Sequence, residues 1–209
     1  MNEMVLPQQV VLFPLSGTIL LPRAYTTLVF QKPEEIQIFE KVLNSSHRLL
    51  GLVQWDANKS LFKHGSLVRI IGFQESESGK TFVNCQGVSR FEILSITTAE
   101  DNLNYAELDY SPYAEDLKAI ESDPFVDRSR LMSALRVYLQ DQDISMNWED
   151  MDEISDEFLL NSLAQTCPFD DIEKQALLET KTLAERCEIM TTLIEMASLN
   201  TRWGGVSYH

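Results

Sequence analysis

The tripeptide Gly79-Lys80-Thr81 is the closing half of the phosphate-binding loop G-x-x-x-x-G-K-[ST], whose backbone N–H groups wrap a nucleotide's phosphates while the lysine reaches them. The chemistry it would bring is nucleotide binding and hydrolysis. The spacing fails. The position that needs the first glycine holds Gln74, and the nearest earlier glycine, Gly72, is two residues too far. A residue with a side chain is a poor substitute where the chain must bend sharply. The flanks fail as well: a phosphate loop leads from a strand into a helix, whereas Leu67–Gln74 and Thr81–Cys85 are both β-branched and aromatic, with the turn residues Glu75–Gly79 between them. This pattern predicts a β-hairpin with a loop of several residues, and no nucleotide.

The other reactive side chains are scattered. Cys85, Cys167 and Cys187 stand far apart without a C-x-x-C pair, and His47, His64 and His209 stand alone. A zinc site needs clustered ligands, so no metal and no cofactor are expected. Cys85 and Cys187 read instead as small buried hydrophobes in a reducing compartment. Ser16, Lys80 and the Asp/Glu pairs are of catalytic type, but any chain of 209 residues supplies such groups and nothing clusters them here. No catalytic residue is assigned.

The elements that must position any site fall into two halves. Hydrophobic residues make up 44% of the chain, enough for a packed core. No run of about 18 apolar residues is present and the N-terminus lacks a signal-peptide pattern, so neither a membrane span nor export is expected, and the location expected is cytoplasmic. The net charge is −15. Residues 1–111 carry 9 basic and 12 acidic side chains, a balance of −3; residues 112–209 carry 8 and 20, a balance of −12. A surface this acidic repels phosphate backbones and anionic lipid, which disfavours nucleic acid and membranes as partners.

The first half is strand-rich, with runs at Gln9–Leu15, Thr18–Pro22, Thr26–Phe30, Arg48–Trp55, Ser66–Ile71, Lys80–Cys85, Arg90–Ile96 and Tyr105–Tyr110. Short strands broken by Gly and polar turns suggest a small barrel or sandwich. One helix interrupts them, with Pro33 in its first turn, Glu34 and Glu35 at the positive end of its dipole, and Ile36, Phe39, Val42 and Leu43 as its buried stripe. The second half is helical. Asp123 followed by Pro124 reads as an N-cap, Asn147 opens a short helix, and Ile154, Phe158, Leu159 and Leu163 mark another that Pro168 ends. Asp170–Glu173 resembles a capping box, Thr182-Leu-Ala-Glu caps the last helix, and Leu183, Cys187, Met190, Leu193, Ile194 and Ala197 form its face. These patterns divide the chain into a β-rich domain at 1–111, a helical bundle at 112–199 and a flexible tail at 200–209.

The stretch Val11-Leu-Phe-Pro-Leu-Ser-Gly-Thr-Ile-Leu-Leu-Pro resembles the opening of the substrate-binding N-terminal domain of the ATP-dependent Lon protease. His47–Gln54, Leu61–Ile70 and Cys85–Ile93, the last with its G-x-x-R-F element, resemble further segments of that domain in the same order, so that the match covers residues 10–198. It departs at Val29–Glu34, where relatives often carry an Arg-Tyr pair that is absent here. The resemblance is to stand-alone bacterial proteins of this domain rather than to the whole protease. It implies an α+β fold: a PUA-like small β-barrel with one inserted helix, followed by an α-helical bundle. Phe13, Pro14, Gly17, Gly51, Gly65, Gly87, Arg90 and Phe91 are its structural motif positions. Gly17 would supply a turn between Leu15 and Ile19, Gly87 a tight turn before a strand, and Arg90, beside Phe91, a latch that stacks or bonds to turn carbonyls. The cereblon family shares the barrel region, but its zinc-binding domain has no counterpart cysteines here.

The function this implies is a non-catalytic binding module for unfolded or extended polypeptide, or for a protein partner, without ATPase or peptidase activity. Leu20, Leu21, Pro22 and Tyr25, outside regular strands, and Trp55, at a strand end, are the candidate groove residues. Packing between the two halves is the competing role for all five. The alternative function is an RNA-binding PUA-like module, which the acidic charge and the lack of a basic, aromatic-interleaved cluster oppose. The sequence does not specify the oligomeric state.

Overall fold

β-Branched and aromatic runs become the strands, as their packing on a pleated surface favours. The computed structural model describes residues 6–203 except 78, 119–122, 149, 150 and 152, with the backbone alone at 200–203. The strands are β1 (Gln9–Pro14), β2 (Tyr25–Phe30), β3 (Leu49–Val53), β4 (His64–Glu75), β5 (Thr81–Thr98) and β6 (Asn104–Asp109), with helix α1 (Pro33–Leu43) after β2. They form a six-stranded sheet in the order β2-β5-β4-β3-β1-β6. β1 and β3 run parallel and the remaining neighbours antiparallel. The first part of β5 lies between β2 and β4, while its last part, Glu92–Thr98, pairs with β6, so the series of pairings returns to β5.

β5 corrects two expectations. The runs Lys80–Cys85 and Arg90–Ile96 are one strand of 18 residues, and Gly87 lies inside it rather than in a turn before a strand. A Cβ at Gly87 would stand 2.1 Å from the Leu21 carbonyl oxygen. The glycine thus lets the Leu15–Ala24 segment lie backbone to backbone on β5, with Gly87 N–H donating to Ala24 O at 2.9 Å and Arg23 N–H donating to Gly87 O at 2.8 Å. That segment is a loop and not the strand expected at Thr18–Pro22. Gly17 does turn the chain after β1, with φ +74, and its N–H reaches Gln54 Oε1 at 3.1 Å. Gly51 and Gly65 make room for the wholly buried Phe91 ring, which a Cβ at Gly65 would approach to 2.6 Å.

Among the described residues two apolar clusters fill this unit. In one, Phe13 stacks on Phe30 with centroids 4.6 Å apart, and Phe39 of α1 meets Phe30 and Phe73 at 5.8 and 5.2 Å. In the other, Leu12, Leu67, Phe91 and Leu108 pack together. After β6 a 3-10 helix, Ser111–Leu117, is held to β5 by Arg90 and Asp116, so the first compact unit extends past the boundary at 111 to Lys118.

The second unit contains α2 (Arg128–Asp141), α3 (Asp156–Thr166), α4 (Asp171–Glu179) and α5 (Leu183–Trp203). Asp127, not Asp123, caps α2 by accepting Arg130 N–H at 3.0 Å; Asp123 instead accepts Phe125 N–H at 2.9 Å in a turn upstream. The capping box expected at Asp170 forms, and the cap expected at Thr182 proves to be a second one. Asp170 accepts Glu173 N–H while Glu173 accepts Asp170 N–H, and Thr182 and Glu185 do likewise. Phe158, expected on the buried stripe of α3, is exposed; Leu160 is buried in its place beside Leu159 and Leu163. Leu183, Cys187, Met190 and Ile194 line the buried face of α5. α5 continues into the segment expected to be a tail, reaching Trp203; residues 204–209, and part of the short helix expected from Asn147, lie outside the described residues. Among the described residues no helix is long and apolar enough to cross a membrane.

Candidate functional site

The phosphate-loop chemistry is absent in three dimensions too. Glu75 pairs with Thr81, Ser76 N–H donates to Lys80 O at 2.9 Å, Gly79 takes φ +78, and Lys80 is followed by a strand. No helix N-terminus is there to face an anion. Among the described residues no three His, Cys, Asp or Glu side chains gather to hold a metal. The cysteines are buried and free. Burial pushes the Cys85 thiol up to about 12 and that of Cys167 to about 11, so neither supplies a thiolate at neutral pH.

The sequence-derived groove residues separate. Leu20 and Leu21 are 0% exposed and Pro22 is buried, so these three are core residues and offer no groove surface. The close approach to Gly87, and a bond from Leu20 N–H to Ser66 Oγ at 3.3 Å, hold their loop down. Tyr25 is 59% and Trp55 40% exposed. They are not neighbours in the sheet: Trp55 follows β3, which lies three strands from β2 in the order of pairing. Trp55 sits at the base of a tight loop, bridged to Leu61, in which Asp56 accepts the N–H groups of Asn58 and Ser60.

Around Tyr25 the exposed positions do form a surface. Along β2, Tyr25, Thr27 and Val29 are exposed while Leu28 and Phe30 are buried. Opposite them on β5 stand Gln86, Asn84 and Phe82. Gln86 Nε2 donates to Tyr25 Oη at 2.8 Å and Thr27 Oγ1 donates to Asn84 Oδ1 at 2.9 Å, which fixes both outer side chains. Val29 and Phe82 make an apolar pair at the far end. β2 begins the sheet order and pairs with β5 alone among the described strands. Edge strands are commonly guarded by charge or proline; Tyr25–Phe30 carries neither. Beyond it, Glu35 Oε2 accepts the N–H groups of Gln31 and Lys32 at 3.0 and 3.1 Å. Burial pushes the Glu35 carboxyl up, but these amides and the Lys32 ammonium outweigh it and hold it below its ordinary value.

Thr27, Val29 and Phe82 are exposed beside Tyr25 and are candidates that the sequence reading missed. Tyr25, expected outside regular strands, is the first residue of β2; the period-two alternation that puts Thr27 and Val29 on one face is visible in the sequence, but the position of their strand at the end of a sheet is not. Two recesses elsewhere are poorer candidates. One of about 120 Å³ beside Lys41, His47 and Tyr105 is far below the size of a ligand pocket, and one of about 330 Å³ beside Phe125, Arg130 and Glu188 is at the lower limit.

The chain matches the family model described as the ATP-dependent protease La (LON) substrate-binding domain over residues 9–196. It is 30% identical over 90 residues to the Lon protease of Phenylobacterium zucineum (strain HLK1), a match spanning 40% of this chain and 11% of that protein. The crystal structure of a Lon N-terminal domain protein from Xanthomonas campestris superposes with a TM-score of 0.64 at 17% identity, covering 88% of this chain and 97% of the other. The N-terminal domain of a Mycobacterium avium complex Lon protease superposes with a TM-score of 0.67 at 16% identity, covering 89% and 97%. At these identities the two structures establish the fold, a sheet-plus-helix α+β arrangement.

Proposed function

The chain belongs to the LON substrate-binding domain family, and on that premise we propose that it is a binding module for unfolded or extended polypeptide, taken up on the outer face of β2 and β5 around Tyr25, Val29 and Phe82. The observation that carries this reading is an uncharged edge strand with exposed apolar side chains beside it. A folded chain gains little from leaving such groups in water, whereas a partner that covers them gains their transfer free energy. Binding rather than catalysis fits the scatter of the reactive side chains and the raised cysteine thiols. Apolar contact sets the expected behaviour: affinity survives moderate salt, unlike charge pairing.

The test compares a reduced, unfolded model protein with its folded form, titrated against the full chain at low and moderate salt. The expected result is binding of the unfolded form alone, retained as salt rises. Equal binding of both forms, or an affinity for single-stranded RNA that weakens with salt, overturns the reading.

A further inference from the structure

We propose that the polypeptide is bound as an added strand along the open edge of β2, paired to the main-chain N–H and C=O groups of Tyr25, Thr27 and Val29. This rests on the polypeptide-binding reading above and specifies how the segment is recognised.

The direction of those groups follows from the ladder. In an antiparallel pair, residues alternate between those that turn both main-chain groups to the partner strand and those that turn both away. Ser76 N–H donates to Lys80 O, so Lys80 faces β4. By alternation Phe82 and Asn84 face β4 as well, opposite Gln74 and Gly72. Thr81, Val83 and Cys85 therefore face β2, opposite Phe30, Leu28 and Thr26. An independent bond agrees: Ala24 O accepts Gly87 N–H, and Ala24 is in step with Thr26, Leu28 and Phe30. Tyr25, Thr27 and Val29 thus turn their N–H and C=O groups away from the sheet.

The next residue in that alternation is Gln31, and its N–H is already held by Glu35 Oε2. The carboxylate closes this end of the edge and repels an acidic segment. The open stretch offers three steps of pairing, which a segment of about five extended residues spans. Residues paired across a sheet point to the same face, so the segment's alternate side chains lie beside Tyr25 and Val29 on the outer surface. The occupant that fits is an extended, uncharged stretch with apolar or β-branched side chains at alternate positions.

The probe is a blocked threonine–valine repeat peptide with a lysine tail for solubility, titrated against the full chain. Two further versions carry N-methyl groups, each on one alternate set of amides. Strand addition predicts that one methylated set binds tenfold or more weaker, because the amides facing β2 are blocked, while the other set binds within about twofold of the parent. Thr27→Pro removes the outward N–H and leaves the bonds to β5, as proline on an edge strand permits, so it weakens the peptide by a similar factor with the melting temperature nearly unchanged. If that variant fails to fold, the methylated pair decides alone. Peptide binding indifferent to both methylations, or reduced equally by both, overturns the added strand and leaves the polypeptide reading standing. No binding of the peptide or of a reduced, unfolded protein overturns both. A dimer of the chain that Thr27→Pro dissociates, with no peptide bound, assigns the edge to a second copy and also overturns the proposal.

Discussion

The carboxylate of Asp116 binds both the side chain and the main chain of Arg90. Its Oδ2 accepts Arg90 N–H at 2.7 Å and Nε–H at 2.9 Å, and its Oδ1 accepts Nη2–H at 2.7 Å. The Tyr113 ring lies 4.2 Å from the guanidinium carbon, and Arg90 and Asp116 are 4% and 6% exposed. The latch expected of Arg90 closes on a carboxylate, and it fastens the 3-10 helix to β5. Asp116→Ala leaves a buried cation without its counterion and is expected to cost about 3–5 kcal/mol in urea unfolding of the full chain. Replacing both partners by apolar residues, Arg90→Met with Asp116→Leu, is expected to cost less than the single change. A single variant with wild-type stability would show that the pair does not anchor this segment.

Gly87 and Gly72 make opposite predictions for the same substitution. Gly87→Ala brings a methyl onto a backbone oxygen that cannot rotate aside, and is expected to cost about 3 kcal/mol. At Gly72 an added Cβ would stand 3.8 Å from Asn84 Nδ2, an ordinary contact. Gly72→Ala is expected to stay within about 1 kcal/mol of wild type. Thermal unfolding of the two variants side by side checks both, and equal losses would contradict the close packing of Leu15–Ala24 on β5.

Tyr25 and Trp55 separate the site from the rest of the exposed aromatic surface. Tyr25→Ala is expected to weaken the unfolded-protein complex by about 1–3 kcal/mol, as for an anchor residue, with little change in melting temperature. Trp55→Ala, three strands away in the sheet order, is expected to change binding by less than about 0.5 kcal/mol, as for a residue outside the contact. Calorimetric titration of both variants reads the difference; the reverse result would move the site to the loop that follows β3.

Cys85 gives the stability a defined alkaline limb. In the folded chain burial holds its thiol neutral up to about 12, whereas an ordinary thiol ionises near 9.0. The stability tied to the neutral thiol is complete below pH 9.0 and is lost as the pH rises from there toward about 12, at about 1.4 kcal/mol per unit. Urea unfolding of wild type and Cys85→Ala, from neutral pH to above 9.0, is expected to show a shallower alkaline decline in the variant. Parallel declines would assign the effect to other groups.

Much of the fold was legible because it is local. The Ser76–Lys80 hairpin, Pro33 at the start of α1, the caps at Asp170 and Thr182 and the buried face of α5 each depend on residues within one or two turns of one another. The misreadings are non-local. A glycine just before Arg90-Phe91 predicts a tight turn from sequence; the actual constraint on Gly87 is the backbone of Leu21, brought onto it by tertiary packing. The strand pattern ended at Tyr110, yet the unit runs to Lys118 because Asp116 reaches an arginine 26 residues earlier. Leu20 and Leu21 suggest groove surface because the Leu-Leu-Pro-Arg-Ala-Tyr stretch reads as a turn, but a loop can be buried when another element lies over it.

By itself the sequence determined the kinds of element, the failure of the phosphate loop, the family and the two faces of Thr26–Phe30. A side-chain period of two is written into the order of residues, because successive Cβ atoms must point to opposite sides of a strand. Tertiary structure alone decided that β2 ends the sheet, that Tyr25 stays in water while Leu20–Pro22 do not, and that three residues turn their main-chain groups outward. Those properties depend on which strand lies alongside, and a strand's neighbours are chosen by burial summed over the whole unit rather than by its own residues.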